Sequence, residues 1–157
     1  MALSGPFFLD TSVLLGGLVE IPGRNAGALR VMDAAFAGEL SPLVTAWHCC
    51  LEFYAVATRL PEELRVTPAD ALALLEEQVF PRFDIAQLPG GSGPEALAAA
   101  AREGIAGGRV YDHHLAEVAR LAGAAVVVTD NLRHFGALLR HGVRILDSEG
   151  MAAELAT

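Results

Sequence analysis

Ala124-Ala125-Val126-Val127-Val128, closed by Thr129-Asp130-Asn131, is the most strand-like run in the chain. Three successive β-branched residues with no polar alternation describe a strand buried on both faces, as in a parallel sheet. An acid directly after it falls at the carboxyl end of the strand, where open α/β sheets bind ligands. The same grammar recurs near the start. Pro6-Phe7-Phe8-Leu9 is a short apolar run ending at Asp10, with Thr11-Ser12 opening a turn or helix. Pro42-Leu43-Val44, Phe83 to Leu88 and Val143 to Leu146 are three further strand candidates.

Helical patterns separate these runs. Gly27 to Ala37 carries apolar residues at helical spacing, and Gly38 is a natural stop. Trp47 to Leu60 reads as a helix with Trp47, Cys50, Leu51, Tyr54 and Thr58 on one face. Thr67-Pro68 supplies a cap and a first-position proline for a helix ending before Pro81. Glu95 to Ile105, Asp112 to Leu121 and a segment from Asn131 through Leu139 complete the set, with Gly107-Gly108 and Gly123 as breaks. Strands alternating with helices predict an α/β sandwich around a mostly parallel sheet. At 157 residues the chain is expected to form one domain, 1–157, with Pro89 to Pro94 a surface loop.

Composition narrows the function. With 53% hydrophobic and 19% charged residues, the chain is no disordered polymer. The two cysteines, Cys49 and Cys50, are adjacent and read as reduced, buried thiols, which suits the cytoplasm. No basic leader opens the sequence and no apolar run is long enough for a membrane span. The formal charge of −8 argues against gripping nucleic acid by bulk positive charge. All 11 basic residues are arginine. Without lysine, a Walker-type phosphate loop, a Schiff base and a receiver-domain phosphorylation site are excluded. A haloacid-dehalogenase-like phosphatase is the weakest reading, since it normally needs a lysine and a second Asp two places after the first, where Ser12 stands.

Asp10, Asp112 and Asp130 each precede a helical pattern, so capping alone would account for any one of them. Glu52 sits mid-helix, and no Lys or Arg lies three or four residues away. It is either a solvated surface residue or a fourth acid facing the strand ends. Carboxylates that converge without lysine must take up protons or a cation. Mg²⁺ or Mn²⁺ with oxygen ligands resolves the conflict and suits phosphodiester hydrolysis. His113 and His114 flank Asp112 but point in different directions on a helix, and read as surface residues. Trp47 reads as core rather than a base-stacking platform. Arg133 is a candidate phosphate contact, and Arg24 and Arg109 are candidate contributors to an RNA path.

Taken together, these motifs resemble a known family. Phe8-Leu9-Asp10-Thr11-Ser12-Val13-Leu14 resembles the opening of PIN domains, the nuclease fold of VapC-type toxins. Leu51-Glu52-Phe53 resembles the segment bearing the second acid, and Tyr111-Asp112-His113-His114-Leu115-Ala116 the helix start bearing the third. Val126 to Phe135 resembles the closing strand and fourth polar position. The resemblance implies an α/β/α sandwich and a divalent-metal-dependent endoribonuclease, with Mg²⁺, replaceable by Mn²⁺, held by Asp10, Glu52 and Asp112. It implies a homodimer and, for the toxin branch, a cognate antitoxin. Family members often carry Thr-x-Asp or Thr-x-Asn at the fourth position, where this chain has Thr129-Asp130-Asn131, so Asp130 and Asn131 both remain candidates. Thr11 or Thr129 would hydrogen-bond a ligand carboxylate or a bound water. A catalytically weak RNA- or protein-binding module, or a PIN nuclease outside toxin–antitoxin systems, are the alternatives.

Overall fold

The computed structural model describes residues 2–23 and 25–157; Arg24 lies outside them. Strands β1 (Phe7–Leu9), β2 (Leu43–Ala46), β3 (Phe83–Ala86), β4 (Val126–Val128) and β5 (Arg144–Leu146) form one sheet in the order β3-β2-β1-β4-β5. Every neighbouring pair is parallel. The five apolar runs of the sequence therefore become the five strands, four of them trimmed at their ends and β2 carried on through Thr45 and Ala46.

Connections from β1 through β2 to β3 step one way across the sheet, and those from β4 to β5 step the other. Right-handed crossovers then place helices on both faces. α1 (Thr11–Leu18), α2 (Ala26–Phe36), α3 (Trp47–Ala57) and α4 (Pro68–Leu74, continued by a π turn Leu75–Val79) follow the first two strands. α5 (Gly93–Arg102), α6 (Arg109–Leu121) and a 3₁₀ segment (Leu132–His141) serve the other half. Thr67 caps α4 as its sequence suggests, its Oγ1 accepting from the Asp70 amide at 3.1 Å. Gly38 and Gly123 adopt positive φ at the ends of α2 and α6, a conformation that costs glycine nothing.

β1 and β4 are buried on both faces, which explains their uninterrupted apolar sequences. Phe8 packs against Phe135 of the 3₁₀ segment with ring centroids 6.0 Å apart. Gly17 lets α1 close onto α2: a Cβ there would meet Met32 Cγ at 2.0 Å.

Four readings change. The sequence breaks at Gly107-Gly108, but α6 begins at Arg109, so Asp112 lies in its first turn and is not its cap. The face of α3 that enters the core is Cys49, Cys50, Phe53 and Ala57, while Trp47, Leu51 and Tyr54 are exposed. Trp47 is thus no core residue. The segment after Asn131 winds as a 3₁₀ helix. A last helix, α7 (Ser148–Leu155), packs on α2, which no sequence pattern had suggested. Its cap is Asp147, accepting from the Gly150 amide at 2.7 Å.

Truncating Phe8 to Ala opens a cavity at the sheet centre and should cost about 3–5 kcal/mol. Leu97→Ala, at a side chain 61% exposed, should stay within about 0.5 kcal/mol. Urea unfolding of the two variants checks the contrast.

Candidate metal centre and active site

The register of the two central strands builds the site. Leu9 of β1 pairs with Val128 of β4, so the next residues, Asp10 and Thr129, emerge side by side. They stand where the chain's crossovers diverge, the switch point at which open α/β sheets form their cleft. Thr129 Oγ1 donates to Asp10 Oδ2 at 2.8 Å, and accepts from the Asn131 amide at 3.0 Å. The single hydroxyl proton is committed to Asp10, and the amide fixes the lone pair. On the other side, α3 starts directly after β2, so Cys49 in its first turn reaches Asp10; its Sγ donates to Oδ1 at 3.6 Å.

Asp10 is 4% exposed and, among the described residues, its carboxylate has no arginine partner. Burial pushes its pKa above the usual aspartate value; hydrogen bonds from Thr129 and Cys49, and the nearby His134, only partly oppose the rise. Asp10 does not cap α1 with its side chain. The neighbouring Thr11 Oγ1 is buried with no hydrogen-bond partner. Burial also drives the Cys49 thiol up to about 12, with the charge of Asp10 adding to the effect, so Cys49 stays a neutral donor.

The other acids divide. Asp112 Oδ1 lies 3.3 Å from His134 Nδ1. His134 thus contacts Asp112 and lies near enough for its charge to act on Asp10, a role that the sequence had left unassigned. Glu52 is exposed, and its Oε2 lies 3.2 Å from His48 Nε2, one helical turn earlier. Its i,i+4 neighbour His48, set aside in the sequence because it is neither Lys nor Arg, is the partner. His48 stacks on Tyr111 at 6.2 Å and meets His114 edge-on at 6.1 Å, joining the helix of Glu52 to that of Asp112. Burial, with His48 and His113 nearby, holds His114 below the ordinary histidine pKa. His113 turns away, within 3.6 Å of Glu103.

Asp130 is occupied elsewhere. Its Oδ1 accepts from the backbone amide and the hydroxyl of Ser148, at 2.9 and 2.8 Å, and so holds the start of α7. Its amide donates to Ser12 Oγ at 3.0 Å. Of the two candidates for the fourth position, Asn131 is the one whose side chain is not engaged in this anchor. Arg133 and Arg109 are exposed.

Among the described residues, no three His, Cys, Asp or Glu side chains converge into a ready cage. The donor set nonetheless fits a hard divalent cation. Such an ion takes one or two carboxylates and keeps several waters. A buried, uncompensated Asp10 beside an unpartnered hydroxyl is a place where an ion relieves a standing electrostatic cost.

A family model for the PIN domain matches residues 7–137. The chain belongs to the PIN-domain family. Ribonuclease VapC27 of Mycobacterium tuberculosis (strain ATCC 25618 / H37Rv) is 33% identical over 110 residues, covering 68% of this chain and 72% of that protein. Among solved structures, PAE2754 from Pyrobaculum aerophilum aligns over 99% of this chain and 97% of its own, with TM-score 0.61 and 23% identity. VapC20 of Mycobacterium tuberculosis, a sarcin–ricin loop cleaving toxin, aligns over 83% and 94% with TM-score 0.63 and 16% identity. At those identities the two structures speak for the PIN fold alone.

The buried acid sets a stability prediction. Asp10 has a raised pKa in the folded state, so it is uncharged in both states well below the ordinary aspartate range. As pH rises through the interval up to the folded pKa, the unfolded chain has released its proton and the folded chain has not, so stability falls. Asp10→Asn removes that loss. In metal-free buffer near neutral pH the variant should melt higher than the wild type, by about 2–4 °C for each kcal/mol relieved. Added Mn²⁺ should raise the wild-type Tm and leave that of Asp10→Asn nearly unchanged. Thermal unfolding across a pH series checks both.

Proposed function

We propose that this chain is a divalent-metal-dependent endoribonuclease, the toxin of a type II toxin–antitoxin pair. The observation that carries the reading is Asp10, buried with no arginine partner among the described residues, at the switch point of a PIN sheet in a chain 33% identical to a ribonuclease. Asp10, Asp112 and Glu52 would hold the ion, Mg²⁺ or Mn²⁺, with Asn131 contributing at the fourth position. A divalent ion bound there supplies charge neutralisation at the phosphodiester and an acidified water for attack.

The protein's own groups set the geometry. Thr129 and Cys49 fix the plane of the Asp10 carboxylate through its two oxygens. His134 orients Asp112, and His48 orients Glu52. Asp130 supports the site from behind by tying the end of β4 to α7. Arg133, exposed just beyond Asn131, is placed to meet a phosphate of the incoming strand. With a net charge of −8, the protein holds RNA weakly outside this site. A basic antitoxin segment suits the same acidic surface. The working form is a homodimer in the cytoplasm, and no helix among the described residues is long and apolar enough to cross a membrane.

Cleavage of single-stranded RNA in Mn²⁺ should disappear in Asp10→Asn; unchanged cleavage would remove Asp10 from the chemistry. Thr129→Val should slow cleavage about ten- to a hundredfold through loss of the bond to Asp10, with Thr129→Ser restoring most of it. Induced expression without a partner protein should arrest growth of the native host, and Asp112→Asn should relieve the arrest.

A further inference from the structure

A cavity of about 280 Å³ opens at the carboxyl ends of β2 and β3. Its floor is Ala46 and Ala86, register partners in the sheet. Two alanines side by side leave a hollow that larger residues would fill. Trp47 and His48 at the start of α3 and His114 of α6 wall it, and Gln87 stands at its edge just after β3. Trp47 is 42% exposed, its ring tilted against Phe80 at 6.4 Å, so it is held yet open to solvent.

We propose that this cavity is a nucleobase subsite, which receives a base of the RNA strand next to the scissile phosphate and favours adenine. The ligand follows from the ribonuclease reading; the subsite itself stands on the lining. Three aromatic rings offer π faces, and base–aromatic stacking binds single strands without positive charge. That matters in a chain with 19 acids against 11 arginines, where phosphate contacts are few. The Gln87 amide offers the paired donor and acceptor that match adenine. The volume lies just below the roughly 300–1,000 Å³ typical of ligand pockets, which suits one base better than a larger group.

Continuity with the acids sets the register of the strand. His48 lines the cavity and also touches Glu52, and His114 lines it two residues after Asp112. Tyr111, 61% exposed, stacks on His48 and extends the aromatic surface towards Asp112. A base in the cavity therefore brings its own backbone past the carboxylates. Cleavage specificity would arise here, one nucleotide from the chemistry.

The chain's single tryptophan is Trp47, so its fluorescence reports occupancy directly. The experiment titrates single-stranded tetranucleotides of A, C, G or U into the Asp10→Asn protein and, in parallel, follows Mn²⁺-dependent cleavage by the wild type. Saturable quenching that is tightest for the A oligomer is expected. Gln87→Ala, at an exposed side chain, should weaken that binding about five- to a hundredfold and flatten the preference. Gln87→Glu should shift the preference towards C, whose amino group a carboxylate accepts. Quenching that does not saturate, or titrations unaltered by both Gln87 variants, would overturn the subsite even if cleavage is robust. Selective quenching without any cleavage would instead keep the subsite and overturn the nuclease.

Discussion

The hydrogen bond from Thr129 to Asp10 joins the two central strands at their carboxyl ends, and its geometry is a consequence of register. With Leu9 opposite Val128, the residues that leave the sheet are adjacent by construction. A one-residue slip would turn every buried side chain of β1 to the opposite face and would carry Asp10 away from Thr129. The cost of slipping is therefore paid in the core, where Phe8 and Val127 exclude solvent. Apolar packing far from the chemistry fixes the position of the acid. The same packing removes Asp10 from water, which makes a bare carboxylate costly there. Precise placement and electrostatic tension come from one cause.

That tension is what gives the acid a use. A carboxylate in water gains little from meeting a cation, because both must shed hydration. A carboxylate already stripped of water, with only a hydroxyl and a thiol as partners, has met that cost during folding. The chain contains no lysine to relieve it, and several of its arginines are engaged at the periphery, Arg120 with Glu117 and Arg140 with Glu103. Histidines stand against the other two acids, His134 against Asp112 and His48 against Glu52.

What could be read from the sequence follows the same physics. Strands buried on both faces leave continuous apolar runs, so β1, β2 and β4 were legible, as were Asp10 and Asp130 beyond β1 and β4; the partly exposed β3 and β5 left shorter runs, and Asp147 after β5 went unread. Helix stops at Gly38 and Gly123 and the cap at Thr67 were legible because they are local. Partnerships between distant elements were not. Nothing near Asp130 announces that its carboxylate will be spent on Ser148, because that contact exists only once α7 has packed on α2. Trp47 was misplaced because aromatic size suggests burial, while the inward face of α3 was taken by smaller residues, Cys49, Cys50 and Ala57, and by Phe53. Glu52 was half legible: its isolation from Lys and Arg was real, and its histidine partner stood four residues away.

The acidic balance of the whole chain, which first argues against a nucleic-acid partner, fits a division of labour between charge and shape. A protein that binds RNA through a basic stripe gains affinity everywhere on the strand and discriminates little. Here repulsion discourages contact outside the site, so productive binding depends on what an ion neutralises at the acids and on what a base gains by leaving water. Each is confined to a few side chains at the carboxyl end of the sheet. The net charge therefore works as a filter: it lowers affinity for RNA in general and leaves the aromatic and hydrogen-bonding surface around Trp47, His48 and Gln87 to decide which sequence stays long enough to be cut.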